Sequence, residues 1–282
     1  MNAERAVHPA GSPPGLSGEL ERGPRGVLYW VRDPRSGRIV SVRVPPPLWP
    51  LEASMLAAAR ARSLKHPHIA PVMEAGWRDG AAYITLCEEL GFRVNPAALS
   101  PREAAMIVRD VATALDYAAG RGVVHPGPIP DVLRFTPAGR VVVTGYELPR
   151  GGDVPDLYLA PEVREGAPVD AAANVYSLGA ILYVFVEGSR PGPRALKRLK
   201  IMIREAMHAD PRRRPSAAGL AAALSRWLKD PDSIRPIAEA AEFWLEAPES
   251  APALEAAEFW REDPEPAPEP AEFWFGEPRH AA

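Results

Sequence analysis

Cysteine is almost missing from this 282-residue chain, in which Cys87 stands alone. A lone thiol excludes an intrachain disulfide framework and fits a reducing compartment, here the cytoplasm. Nothing near Cys87 in the sequence would activate it, so it reads as an inert thiol buried in a strand. Long apolar runs are missing too. The longest, residues 180–186, falls far short of the roughly 20 residues a membrane helix needs. Residues 1–18 hold no apolar core of the signal-peptide type. No membrane contact is expected. Basic residues are not concentrated either: the densest run is Arg212–Arg213–Arg214, and nucleic-acid binding is not expected.

Proline, by contrast, is abundant. Thirty-four prolines are roughly double ordinary usage, so part of the chain should stay unpacked. The net charge of −3 conceals an asymmetry. Residues 231–282 carry thirteen acidic and three basic side chains, a net of −10, which leaves +7 on residues 1–230. A basic body and an acidic tail attract one another within one chain.

Residues 1–18, rich in Pro, Gly and Ser, read as a disordered lead. Strand patterns follow at residues 27–31, 39–44, 71–75 and 81–86, separated by turn residues and by an Ala-rich helix over 51–65 that Pro67 would stop. The character then turns helical. Ser100–Pro101–Arg102–Glu103 has the form of a helix start, with a capping serine, proline at the first position and glutamate at the third. Apolar residues at helical spacing follow from Ile107, and further helices are expected near 175–186, 194–208 and from Ser216. A small β-rich half precedes a larger α-rich half, an α+β order.

Several motifs run through this order. Residues 20–29 hold Gly23 and Gly26; Val40–Ser41–Val42–Arg43 follows, then His66–Pro67–His68–Ile69. Later come Val123–Val124–His125, Thr144–Gly145–Tyr146–Glu147, Ala160–Pro161–Glu162, Val175–Tyr176–Ser177–Leu178–Gly179 and Asp210–Pro211–Arg212–Arg213–Arg214–Pro215. Together they resemble a bacterial serine/threonine protein kinase over about residues 19–229. The resemblance implies the bilobal protein-kinase fold over residues 19–230, with an N-lobe at about 19–90 and a C-lobe at about 91–230. It also implies a buried structural ion pair between Glu162 and Arg214, and a core role for His125.

The positions that carry the family's chemistry depart from its pattern. Arg43 stands for the lysine that pairs the nucleotide phosphates, and its helix partner is unassigned: Glu52 comes early, and Ala57 occupies the expected place. The catalytic aspartate is replaced by Gly127, the loop lysine by Ile129, the metal-binding asparagine by Val132 and the second metal-binding aspartate by Gly145. Glycine and valine offer no oxygen to a hard Mg²⁺ ion, on which phosphoryl transfer in these enzymes depends. The twelve residues from Leu148 to Leu159 contain no Ser or Thr. These losses imply a pseudokinase: not an enzyme, with no metal site, no cofactor and no Mg-ATP. Two alternatives remain. Gly23, Gly26 and Arg43 would hold a nucleotide without Mg²⁺ as a sensing switch, or a residual kinase or other transferase activity persists.

Beyond the kinase-like body, Ala-Glu-Phe-Trp occurs three times, in Glu242–Phe243–Trp244, Glu258–Phe259–Trp260 and Glu272–Phe273–Trp274, each preceded by alanine. The acidic, proline-rich segment 231–282 should be extended and disordered. Spacings of 16 and 14 residues do not keep the fixed period of a solenoid and suit short linear motifs on a flexible string. Phe and Trp are the side chains that dominate interface energetics, and repetition multiplies a weak single-site affinity. One reading docks these aromatics on the protein's own body as a hydrophobic strap; the expectation is an adaptor or scaffold whose tail recruits a protein partner, with an oligomer offering repeated pockets as the best match. A second protein partner would bind the kinase-like domain itself.

Overall fold

The computed structural model describes residues 19–23, 25–33, 37–46, 51–78, 81–86, 90, 93–95, 99–136, 138–148, 154–187 and 193–229. The lead 1–18, Cys87 and the three tail motifs lie outside the described residues. The N-terminal half is a five-stranded sheet built from β1 (Glu19–Gly23), β2 (Gly26–Arg32), β3 (Ile39–Val44), β4 (Val72–Arg78) and β5 (Ala81–Leu86). Its order is β1-β2-β3-β5-β4, with antiparallel pairing throughout. β3 is therefore the central strand. Both of its faces are covered, Val40 and Val42 on one side and Ser41 and Arg43 on the other, as expected when successive side chains alternate across a pleated strand.

The β1–β2 hairpin turns through Gly26, whose φ is +91°. A Cβ there would lie 2.1 Å from the Val44 carbonyl oxygen, so a side chain is excluded both by conformation and by space. Gly23, by contrast, has open space around it. Helix α1 (Leu51–Ala61) crosses between β3 and β4. It ends four residues short of the expected 65, in a turn where the Ser63 hydroxyl donates to the Arg60 carbonyl at 2.8 Å. A serine side chain that bonds back to the last turn competes with continuation of the helix.

The C-terminal half is helical around α2 (Pro101–Ala119), which starts as the sequence dictates. Ser100 accepts from the Glu103 amide at 3.3 Å, and the Glu103 carboxylate accepts from the Ser100 amide at 2.8 Å. The apolar stripe Ala104, Ile107, Val108, Val111, Leu115 and Ala118 is fully or nearly fully buried. It packs against α4 (Ala171–Glu187) and α6 (Ala217–Lys229), with the short α3 (Pro161–Arg164) and α5 (Pro193–Ala206) alongside. A two-stranded ribbon of β6 (Leu133–Phe135) and β7 (Val141–Val143) lies between the halves. It ties them together: Ala70 donates to Val143, Val143 to His68 and Val94 to Leu133, at 2.9, 2.9 and 3.2 Å. One apolar core runs from Leu28 in β2 through this ribbon to Trp227 in α6. The fold is α+β and bilobal.

Candidate functional site: the cleft between the lobes

Arg43 leaves the middle of β3 toward the cleft, and the structure supplies the partner that the sequence left unassigned. It is neither Glu52 nor a residue at position 57. The Arg43 Nε donates to Glu147 Oε1 at 3.1 Å, and both side chains are almost wholly buried, 5% and 1% exposed. Glu147 follows β7 in the turn Thr144–Gly145–Tyr146–Glu147. The φ of Gly145, +98°, lets the chain double back so that its own amide donates to Glu147 Oε2 at 2.8 Å. A carboxylate with both oxygens engaged and a guanidinium facing it compensate each other's desolvation. The Arg43 Nη1 also lies 3.5 Å from the Arg25 carbonyl oxygen at the end of the β1–β2 turn. Desolvation, with Arg43 nearby, pulls the Arg25 guanidinium down to about 10, so it stays charged at neutral pH.

A second group of charges bridges the mouth of the cleft. Glu21 in β1 meets both Arg93 and Arg134, the latter in β6, and Arg93 reaches Asp131 at 3.4 Å. Four arginines and three carboxylates thus line the space between the lobes. Sequence reasoning missed the pairing roles of Glu21, Glu147, Arg25, Arg93, Asp131 and Arg134. The one local signal was the acid at Glu147, two residues past Gly145; the other pairings join residues too distant in sequence to be read.

The residue set does not fit the Mg-ATP that the fold implies. Ile129 and Val132 are buried among apolar side chains, and Gly127 and Gly145 carry no donor. Glu147 has both oxygens committed to Arg43 and Gly145. Among the described residues, no three His, Cys, Asp or Glu side chains gather into a metal-ligand cluster.

His125 is fully buried. Its Nε2 lies 2.9 Å from the Thr144 carbonyl, its Nδ1 accepts from the Gly127 amide at 3.1 Å, and Tyr146 packs on it edge-on at 4.7 Å. The Asn174 side chain of α4 donates to the His125 carbonyl at 3.1 Å and accepts from its amide at 3.2 Å. Burial pushes the imidazole down to about 3, so it is neutral at physiological pH. Elsewhere, the Arg214 guanidinium grips Glu162 at 2.6 and 2.7 Å and donates to three backbone carbonyls, of His208, Ala172 and Ala209. That hydrogen bonding holds the Glu162 carboxyl below the ordinary range. Both shifts are depressions, so both groups stabilise the fold above their unfolded values and lose that contribution on acidification. A titration of melting temperature should therefore fall first from about pH 6.5 toward 3 as His125 is forced to charge, and further below 4.5 as Glu162 protonates. A flat profile from pH 7 to 4 would contradict this.

With this geometry in view, the known relatives are informative. No protein-family model matches the chain. The serine/threonine-protein kinase PknD of Mycobacterium tuberculosis is 28% identical over 195 residues, covering 61% of this chain and 29% of that protein. PknA of the same organism is 28% identical over 198 residues, covering 61% and 46%. The chain thus spans less than half the length of these relatives. Among solved structures, the Mycobacterium tuberculosis PknI kinase domain superposes with a TM-score of 0.62 at 24% identity, over 80% of this chain and 99% of that one. The fold is that of a protein kinase domain.

These relatives overturn one expectation. Missing aspartates at Gly127 and Gly145 imply a chain that is not an enzyme, whereas the similar proteins are named as serine/threonine-protein kinases. The loss of single aligned residues does not by itself carry the conclusion that the chain is not an enzyme. No helix among the described residues is long and apolar enough to cross a membrane.

Proposed function

We propose that the chain is an adaptor: a kinase-fold platform that recruits a protein partner through its three tail motifs. The observation that carries this reading is the exact recurrence of Ala-Glu-Phe-Trp at 241–244, 257–260 and 271–274 in a segment otherwise poor in large apolar residues. An acidic, proline-rich segment gains nothing for solubility from Phe-Trp pairs, whereas an interface gains its anchors from them. The fitting partner presents an apolar pocket rimmed by basic groups, in several copies. The Arg43–Glu147 pair and the charges around Glu21 support the platform role, since they join the lobes through the chain's own side chains. The test is capture by the full chain against the variant with Trp244, Trp260 and Trp274 all changed to Ala. Proteins retained by the wild type should be absent from the variant; equal capture by both would remove the tail from the account.

Phosphoryl transfer is the second reading, favoured by the names of the relatives. Incorporation of labelled phosphate into the chain or an added protein, abolished by Arg43→Ala, would support it.

A further inference from the structure

Helix α1 presents two faces. One carries Ser54, Ala58 and Ala61, buried against the sheet. The other carries Ala53, Leu56, Ala57 and Arg60, an i, i+3, i+4, i+7 stripe. It lines a groove of about 310 Å³ together with Gly122, Val123, Val124, Pro126, Tyr146 and Leu148. Leu56 is 54% exposed there, the most exposed large apolar side chain among the described residues. The charge on the lining is positive, from Arg60. Arg121, stacked 3.7 Å over the Tyr117 ring, stands beside Gly122 of that lining.

We propose that one Ala-Glu-Phe-Trp motif of the chain's own tail seats in this groove. The inference rests on reading the repeats as aromatic anchors and assigns them a second, internal site. Three matches commit it to that occupant. The groove volume suits one large aromatic side chain, at the small end of ligand pockets. Its basic rim complements the glutamate of each motif, within a −10 tail facing a +7 body. The reach is sufficient: Glu242 follows Lys229 by thirteen residues, up to roughly 45 Å of extended chain, about the width of a domain this size. Tethering at that length gives a local concentration on the order of millimolar. A docked motif is hidden from an external partner, so occupancy of the groove sets how many anchors are free.

Hydrogen exchange on the full chain tests this. Replacing Trp244, Trp260 and Trp274 together by Ala should speed exchange at residues 53–60 and 122–126 at least fivefold while leaving residues 171–187 unchanged. Unaltered exchange at the groove would overturn the proposal. The converse variant, Leu56→Glu with Arg60→Glu, alters two exposed side chains and keeps all three motifs. Chymotryptic cleavage at the motifs should rise about fivefold in it, and partner capture should be equal or stronger. No rise in cleavage overturns the docking. Protection that grows with protein concentration assigns the groove to a second copy's tail and likewise overturns internal docking. Recruitment is read separately: loss of capture with unchanged groove exchange sinks the docking alone, and changed exchange with undiminished capture sinks the recruiting function alone.

Discussion

Glu147→Ala should cost the domain about 3–5 kcal/mol, read as a drop in urea midpoint at unchanged slope. The size follows from what remains. Arg43 sits in the central strand with 5% of its side chain exposed, and without Glu147 its charge keeps, among the described residues, only the Arg25 carbonyl, at 3.5 Å. The Gly145 amide would lose its acceptor as well. Arg43→Met should cost less, because it strands a carboxylate that keeps one amide donor. The double variant Arg43→Met with Glu147→Leu separates the pair from its burial. Replacing both partners by apolar groups of similar size removes the desolvation penalty along with the attraction, so the double should lie nearer the wild type than Glu147→Ala does. If the two single losses simply add, the ion pair does not join the lobes.

Arg214→Met is the other large effect, again about 3–5 kcal/mol. The guanidinium is wholly buried while Glu162 is 23% exposed, so the loss falls chiefly on the arginine side. Besides the carboxylate, the carbonyls of His208, Ala172 and Ala209 would lose a donor. Arg214→Lys should rescue little, since one ammonium cannot reproduce a planar fork that serves a carboxylate and three carbonyls at once. Glu162→Gln should be milder, because the partly exposed amide keeps one acceptor for Arg214. A lysine variant as stable as the wild type would contradict the five-contact account.

The architecture was largely legible in the sequence because its signals are local. The capping box at Ser100 and Glu103 and the stripe from Ile107 specify α2 within a few residues, and the alternation of residues 39–44 specifies β3. The strands that escaped are β1, β6 and β7. Two of them are three residues long, too short to show a period, and β1 (Glu-Leu-Glu-Arg-Gly) has only one apolar residue to mark an alternation. The site was less legible. Arg43 and Glu147 are 104 positions apart, and no spacing rule connects them; only the fold, which brings the turn after β7 to β3, does. Glu21 stands where the kinase loop pattern has a glycine, yet in the fold it holds two arginines across the cleft. Reading each position against a family pattern showed what had been replaced and could not show what the replacements do together. That is also why the inference from the missing aspartates to a chain that is not an enzyme did not stand.

The recruiting function is tested most directly by the affinity of a captured partner for chains bearing three, two, one or none of Trp244, Trp260 and Trp274. If the motifs act as linked weak anchors, affinity falls stepwise with each tryptophan removed, by about 10²–10⁴ in all between three copies and one, and vanishes with the last. An affinity that does not depend on the number of tryptophans would contradict it.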